Sequence, residues 1–393
     1  MPGWVDGMFW VCVLSEPPDT GYGWSGSALD PAWTLLAGCM IQTCRQNQSG
    51  LSLVPCAEID RAEWDSLLTR CPDASIFHTW DWQELLGEIY GVSVRRCFIV
   101  LDGEAIGCFP YCSTSRGGLR IAASPLMGWA TPYLGPVLSV SGVDVSSLVC
   151  EMIRAEGCEY SELTAFDPEA VSRLAGHGYR TSARTTLLAD LAVGEEALWK
   201  GVSKSTRRQI KKAEKEGVVA EDVRWADIAD RYWEMAVETY RRSRRHPPIP
   251  KKMFQLLSER FEAAQRVKIL AAKRDGEILA AKVILLYEGR MHWWDGVSGR
   301  RFPSFSPHGL LNWESIRWGS NNGFSVCDFG GANDPQIARF KGSFGGRAHE
   351  LVYGYRNHSV RSSLLRPIYR PLARVWREVQ WRFKSSNENT SSS

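Results

Sequence analysis

Nowhere in this chain of 393 residues do two cysteines stand as Cys-x-x-Cys, and no Cys/His cluster has zinc-finger spacing. Its eleven cysteines are scattered from Cys12 to Cys327. An odd, dispersed set reads as reduced thiols, so a cytosolic protein without metal is expected. Also missing are Gly-x-x-x-x-Gly-Lys-Ser/Thr, His-Glu-x-x-His and Gly-x-Ser-x-Gly. Those absences set aside P-loop ATPases, zincins and α/β-hydrolases. No apolar run approaches the ~20 residues of a membrane span. Leu36-Ala37-Gly38-Cys39 has the form of a lipoprotein cleavage box, yet no Lys or Arg precedes Arg45. A secretory signal needs a positive start ahead of its apolar run, so residues 1–50 are read as a poorly ordered extension. A net charge of +3 excludes a uniformly basic nucleic-acid binder while leaving room for a local basic patch.

What the chain has is enough length for two or three cores, at roughly 100–200 residues each, and seventeen tryptophans that need burial or a flat-faced site. Asp60–Cys71 and Thr79–Tyr90 read as helices, followed by the strand Arg95–Leu101, the turn Asp102-Gly103-Glu104 and the strand Ala105–Pro110. The same order recurs: helices over Asp227–Arg242 and Lys251–Phe261, the strand Val267–Ala272, the turn Asp275-Gly276-Glu277, and the strand Ile278–Leu286. Two copies of helix–helix–hairpin point to a duplicated α/β unit. Between them, Glu159–Phe166 reads as a strand, Asp167–Gly176 as a helix and Tyr179–Leu191 as a strand. The expected divisions are a first domain over 51–194, a second over 195–357, a helix rich in Arg and Trp over 358–384, and a disordered tail over 385–393.

Four places can carry chemistry. Lys204, Arg207, Arg208, Lys211, Lys212 and Lys215 spread over one broad face of a helix ended by Gly217, a surface that is either merely solvated or suited to phosphate groups. Arg241–His246 is a second basic cluster, ahead of Pro247-Pro248-Ile249-Pro250, a lid or a rigid linker. Ser306 and Pro307 mark a helix start, making Ser306, His308, Gly309 and Leu310 a candidate anion site for a cosubstrate. Finally, Asp328-Phe329-Gly330-Gly331 lets backbone approach a ligand closely, and Phe340-Lys341 follows before Phe344. Chemistry alone favours Lys341 as a surface cation beside core aromatics over a desolvated cation beside a reacting carbonyl.

In that order, the string from Ser205-Thr206-Arg207-Arg208 to Gly217, then Asp275-Gly276-Glu277, Trp293, Pro307…Leu310-Leu311…Trp313, Asp328-Phe329-Gly330-Gly331 and Phe340-Lys341…Phe344-Gly345, resembles the FemAB-like and CelD-like acyltransferases over about residues 51–355. The resemblance implies an α/β (α+β) fold of tandem GNAT-like domains, each a mixed, mostly antiparallel sheet flanked by helices. It implies an N-acyltransferase acting on an amine of an anionic cell-envelope or exopolysaccharide precursor. Acyl-CoA (acetyl-CoA) is then the cosubstrate, or aminoacyl-tRNA in the bridge-forming relatives. It places Lys341 near the donor carbonyl with Phe340 beside it, and Arg207, Arg208 and Lys211 on the segment that meets precursor phosphate. Asp328 is the first candidate base, before His292 and Asp295, and Trp293 and Trp294 are candidate cleft walls. The long paired-helix arm of several bridge enzymes is missing. A non-catalytic binding module for anionic glycan precursors is the reading from another class; a filled donor cleft would favour it. Contact with a membrane surface stays open, and no oligomeric state follows from the sequence.

Overall fold

The computed structural model describes residues 50–57, 60–242, 247–299 and 305–367. The expected extension before Gly50, the tail over 385–393 and all but the start of the expected helix 358–384 lie outside these residues, as do residues 243–246 of the second basic cluster.

Two runs of elements follow one plan. The first is β1 (Leu51–Pro55), α1 (Arg61–Arg70), α2 (Trp80–Tyr90), β2 (Ser93–Leu101), β3 (Glu104–Arg116), β4 (Leu119–Ser124), a short β5 (Val137–Leu138), α3 (Ser146–Ala155), β6 (Tyr160–Ala165) and β7 (Arg180–Asp190). After α4 (Glu195–Gly201) and α5 (Lys204–Lys215) comes the second: β8 (Val219–Asp222), α6 (Trp225–Arg242), α7 (Lys251–Leu257), β9 (Val267–Arg274), β10 (Glu277–Tyr287), β11 (Arg290–Ser298), α8 (Pro307–Asn321), β12 (Val326–Gly331), α9 (Pro335–Gly342) and β13 (Arg347–Asn357).

The hairpins show why the plan repeats. Asp102 and Gly103 sit at φ 51° and 88°, Asp275 and Gly276 at 50° and 81°. Two successive left-handed residues give the turn whose twist matches the flanking strands. Beyond each turn the pairing skips one residue, Ile106 in β3 and Leu279 in β10. Each skipped residue lies two positions after the turn's Glu, so the two hairpins share a bulge as well as a turn.

The thirteen strands of the described residues form one sheet, in the order β1-β2-β3-β4-β6-β13-β7-β12-β11-β10-β9-β8, with β5 on β3. Among the described residues only β4–β6 and β11–β12 are parallel. The fold is thus a large, mostly antiparallel sheet flanked by helices. At its centre the two runs exchange their final strands. β7 closes the first run but pairs with β12, β13 closes the second but pairs with β6, and β7 and β13 pair with each other from Arg180–Tyr355 to Leu188–Arg347. Helices α1, α2, α6 and α7 cover one face through a single apolar cluster that includes Trp64, Trp82, Trp225, Tyr232 and Trp294. The other face has two clusters, one under α3 and one under α5 and α8.

Two expected helices come out differently. Residues 167–176 hold two short 3-10 turns, Glu169–Val171 and Leu174–His177. Pro168 and the left-handed Gly178 leave too little chain for a cooperative helix. The helix from Lys251 is α-helical only to Leu257 and widens over Ser258–Glu262. Among the described residues no helix is long and apolar enough to cross a membrane.

Candidate active site

Parallel strands that part at their C-terminal ends open a crevice. β11 and β12 keep three rungs, Arg290–Val326, Met291–Cys327 and His292–Asp328, and then separate. β4 and β6 do the same after Ser124–Leu163. The register makes Ala123–Glu162 the counterpart of His292–Asp328. In the first run the opening is bridged by the chain after β4: Leu134 N donates to Thr164 O at 3.1 Å and Gly135 N to Ser124 O at 3.3 Å. A Cβ on Gly135 would lie 2.7 Å from Ala165 Cα, so glycine is required there. In the second run the crevice stays open. It forms a cleft of about 630 Å³ bounded by residues 127–133, by 182–186 of β7, by His292–Trp294, by Gly330–Gly331 and by Lys341.

Asp328 is fully buried beneath this cleft rather than lining it. Tyr133 donates to its Oδ2 at 2.9 Å, Gly330 N to its Oδ1 at 2.7 Å, and the Thr186 hydroxyl also donates to Oδ1. Its Oδ2 lies 3.2 Å from His292 Nδ1, an ion-pair distance at which that nitrogen forms no hydrogen bond. Burial alone would push the carboxyl up. The facing His292, with the Thr186 and Gly330 donors, outweighs it and holds Asp328 below the usual carboxylate range. His292 itself lines the cleft, 5 % exposed. Asp295, the third candidate base, is buried with Tyr232 donating to it and does not line the cleft. Burial raises its carboxyl to about 6.

Lys341 is 2 % exposed while its neighbour Phe340 is 39 % exposed. The helix α9, capped by Asp334 on Gln336 N and Ile337 N, turns the lysine inward and the phenylalanine outward. Lys341 Nζ donates to Gly331 O at 2.9 Å, and burial lowers its pKa to about 8. The reading of a surface cation beside core aromatics is therefore reversed. Gly330, at φ 76°, separates the key groups: a Cβ there would meet Lys341 Nζ and Trp293 O at 3.4 Å and His292 Nε2 at 3.7 Å. Gly330→Ala is expected to cut kcat/KM more than tenfold while costing about 1 kcal/mol of stability from its left-handed backbone. Steady-state rates and denaturant unfolding check both.

Phe340 faces the start of α8, its ring 6.4 Å from that of His308. Ser306 caps this helix by accepting from Gly309 N at 2.9 Å, and Leu310 packs into the core below. Burial, then the charges of Lys282 and Lys341, push His308 down to about 3, and its Nδ1 is buried without a partner. Trp293 lines the cleft, but its indole is core: stacked 3.9 Å on Phe329, donating to Ser315 Oγ at 2.9 Å. Trp294 points to the other face, its Nε1 on Ala130 O at 2.7 Å.

The basic helix is not brought to the cleft. Arg207 folds back, donating at 3.0 Å to the carbonyls of Trp199 and Lys200 at the end of α4, and Arg208 and Lys211 are exposed elsewhere. Ile249, from the proline loop, does line the cleft. Sequence reasoning missed Tyr133 and Thr186, which come from the first run to hold Asp328. It also missed Lys282, whose signal was a lone charge inside the apolar strand Ile278–Leu286.

Residues 200–342 match the family model described as an acetyltransferase (GNAT) domain. No protein of curated function matches the chain in sequence. Among solved structures it is similar to FemX, at 12 % identity, covering 80 % of this chain and 98 % of that one, with a TM-score of 0.61. A conserved protein of unknown function from Bacteroides thetaiotaomicron matches at 10 % identity, 77 % and 98 % coverage and 0.54. L-PGS from Bacillus licheniformis matches at 14 % identity, 77 % and 94 % coverage and 0.50. At these identities the likeness is one of fold, and with the domain match it makes this a GNAT-type acyltransferase fold built from two GNAT-like halves.

Proposed function

We propose that the chain is a FemAB-like N-acyltransferase that moves an acyl group from acyl-CoA to an amine of an anionic cell-envelope or exopolysaccharide precursor. One contrast carries this reading over a non-catalytic binding module: the first crevice is bridged by its own chain, while the second is open and ringed by His292, Lys341 and Gly330.

The acceptor amine attacks the donor carbonyl directly. Its nitrogen forms the new C–N bond, the C–S bond breaks, and the amine proton passes by way of His292 to the departing thiolate. Asp328 orients His292 and offsets the charge it gains; with its oxygens already occupied it is a positioning residue and not the base. The Lys341 ammonium, held on the Gly331 carbonyl, stabilises the oxyanion. The start of α8 suits the donor's diphosphate: the unpartnered Nδ1 of His308 and the nearby charges of Lys282 and Lys341 favour an anion there. Arg184, its guanidinium 3.8 Å over the Tyr353 ring, adds a cation on the acceptor side.

A second reading, aminoacyl-tRNA as donor, is favoured by one observation: Lys204, Arg208, Lys211, Lys212 and Lys215 form an exposed cationic face that can meet a polyanion. Thermal unfolding with acetyl-CoA, longer acyl-CoAs and charged tRNA separates the two. A ligand at 100 times its Kd adds about 2.7 kcal/mol to the folded state and raises Tm. A rise with an acyl-CoA supports the first reading, a rise with charged tRNA alone moves to the second, and no rise with any defeats both. Because the oxyanion role needs the protonated amine, kcat is expected to fall as pH climbs through about 8. A pH–rate profile flat to pH 9.5 would remove Lys341 from that role.

A further inference from the structure

Each half of the protein carries a buried carboxylate at the same place, and the cleft chemistry uses only one of them. The ladder between β7 and β13 has the pair Arg184–Leu351 at its middle. Thr186 on β7 and Tyr353 on β13 stand two residues beyond that middle. Thr186 donates its hydroxyl to Asp328 on the adjoining β12, and Tyr353 donates its own, at 3.0 Å, to Glu162 on the adjoining β6. Asp328 is paired with Leu188 and Glu162 with Tyr355, each four residues beyond the middle. Both carboxylates are fully buried. Glu162 is thus the first half's mate of Asp328, hydroxyl donor included.

Across the parallel pairs the two differ. Asp328 faces His292, while Glu162 faces Ala123. A methyl group neither takes nor gives a proton, so Glu162 has no base to orient. Its oxygens serve other groups. Oε1 accepts from Met127 N, and Oε2 accepts from the Tyr160 hydroxyl. Arg366, from the helical residues 360–367, brings its guanidinium 3.5 Å from Oε2 and 3.2 Å over the Tyr160 ring. That cation offsets a charge that would be costly to bury alone.

Two of these contacts end in the cleft wall. Met127 bounds the cleft directly. The Tyr353 ring, its hydroxyl fixed on Glu162, is the platform for the Arg184 guanidinium at 3.8 Å, and Arg184 bounds the cleft too. Leu134 N and Gly135 N tie the far end of the Met127 segment, so Glu162 holds its near end. Resting on the acyl-transfer reading of the cleft, we infer that Glu162 is a positioning residue for the acceptor, fixing Met127 and Arg184 in the wall that the acceptor meets as Asp328 fixes His292. One duplicated carboxylate then serves chemistry in the second half and substrate placement in the first.

Hydrogen–deuterium exchange of the full chain tests this tie without an acceptor. Glu162→Gln keeps the size of the side chain and removes the charge that these donors share. Amides of residues 125–133 should exchange about tenfold faster, the factor for losing one hydrogen bond to a charged group. Amides of β11 and β12 should keep the wild-type rate, which a general loss of stability would not allow. The Tm rise given by acetyl-CoA should match that of wild type, because the donor meets the start of α8 and not this wall. Arg366→Gln leaves the buried carboxylate uncompensated and should speed the same segment, which keeps the test open if Glu162→Gln does not fold. Unchanged exchange over 125–133 in a folded variant overturns the inference. So does exchange that rises equally in β11 and β12, or an acetyl-CoA shift present in wild type and lost in the variant. If no acyl-CoA raises the wild-type Tm, the acyl-transfer reading falls, while the exchange rates still decide whether Glu162 holds the wall.

Discussion

Replacing Lys341 by alanine should lower kcat by ~10²–10³, the range for losing one oxyanion donor, and leave the fold intact. The position explains both halves of that expectation. Nζ sits beside Gly330 where β11 and β12 part, held by the Gly331 carbonyl at 2.9 Å. In the proposed mechanism that is where charge develops, with no reorganisation needed during the reaction. It is also a buried cation whose desolvation weakens the fold, so its removal should leave Tm unchanged or slightly higher. Lys341→Arg should not rescue the rate, because the planar guanidinium places its donors differently from a point-like ammonium. Donor affinity, read by thermal shift, should change little. A Lys341→Ala protein with undiminished kcat, or one whose loss lies wholly in KM, would remove the lysine from the chemistry.

Local signals made the duplication legible, because an Asp-Gly turn between β-rich runs is determined by two residues and their neighbours. The shared bulge at Ile106 and Leu279 was not, since a bulge depends on how a partner strand is aligned. The exchange of β7 and β13 was hidden for a stronger reason. Each reads as a strand, but its neighbours lie far away in the chain, and short-range periodicity carries no information about them. The site divides along the same line. Phe340-Lys341 and Asp328-Phe329-Gly330-Gly331 were visible as strings. That Asp328 would be a saturated carboxylate beneath the cleft was not, because two of its donors, Tyr133 and Thr186, arrive from 195 and 142 residues away. Arg207 misled for the opposite reason: a basic face has several uses, and here one of its cations serves the carbonyls of the preceding helix.

Lys282→Met should give a protein that is more stable at neutral pH and slower at acyl transfer. Lys282 stands 1 % exposed in the middle of β10. Its Nζ lies 3.9 Å over the ring of Trp293, whose other face stacks on Phe329. Asp295, on the paired strand, gives its carboxylate to Tyr232 instead. Burial lowers the amine from 10.5 to about 7, and the charge of Lys341 acts the same way. The sign follows by linkage. Between about 7 and 10.5 the unfolded chain binds a proton that the folded chain has released, so stability rises with pH across that window; below about 7 both states are charged and the full desolvation cost is present. That cost is on the order of 5 kcal/mol at 1.36 kcal/mol per pH unit, and the cation–π contact returns roughly 1–2 kcal/mol on mutation. Lys282→Met should thus raise unfolding stability at pH 7 by about 2–4 kcal/mol, and the difference should shrink as pH approaches 10. Denaturant unfolding at pH 7 and pH 9.5 measures both. A variant less stable than wild type at pH 7, or a gap that widens with pH, would show that Lys282 is not a buried, poorly compensated charge. The rate supplies the other half. Lys282 is one of the two lysines whose charge acts on His308 at the start of α8. If methionine there stabilises the fold and weakens binding of acyl-CoA together, the lysine's burial is a stability cost tied to the anionic donor.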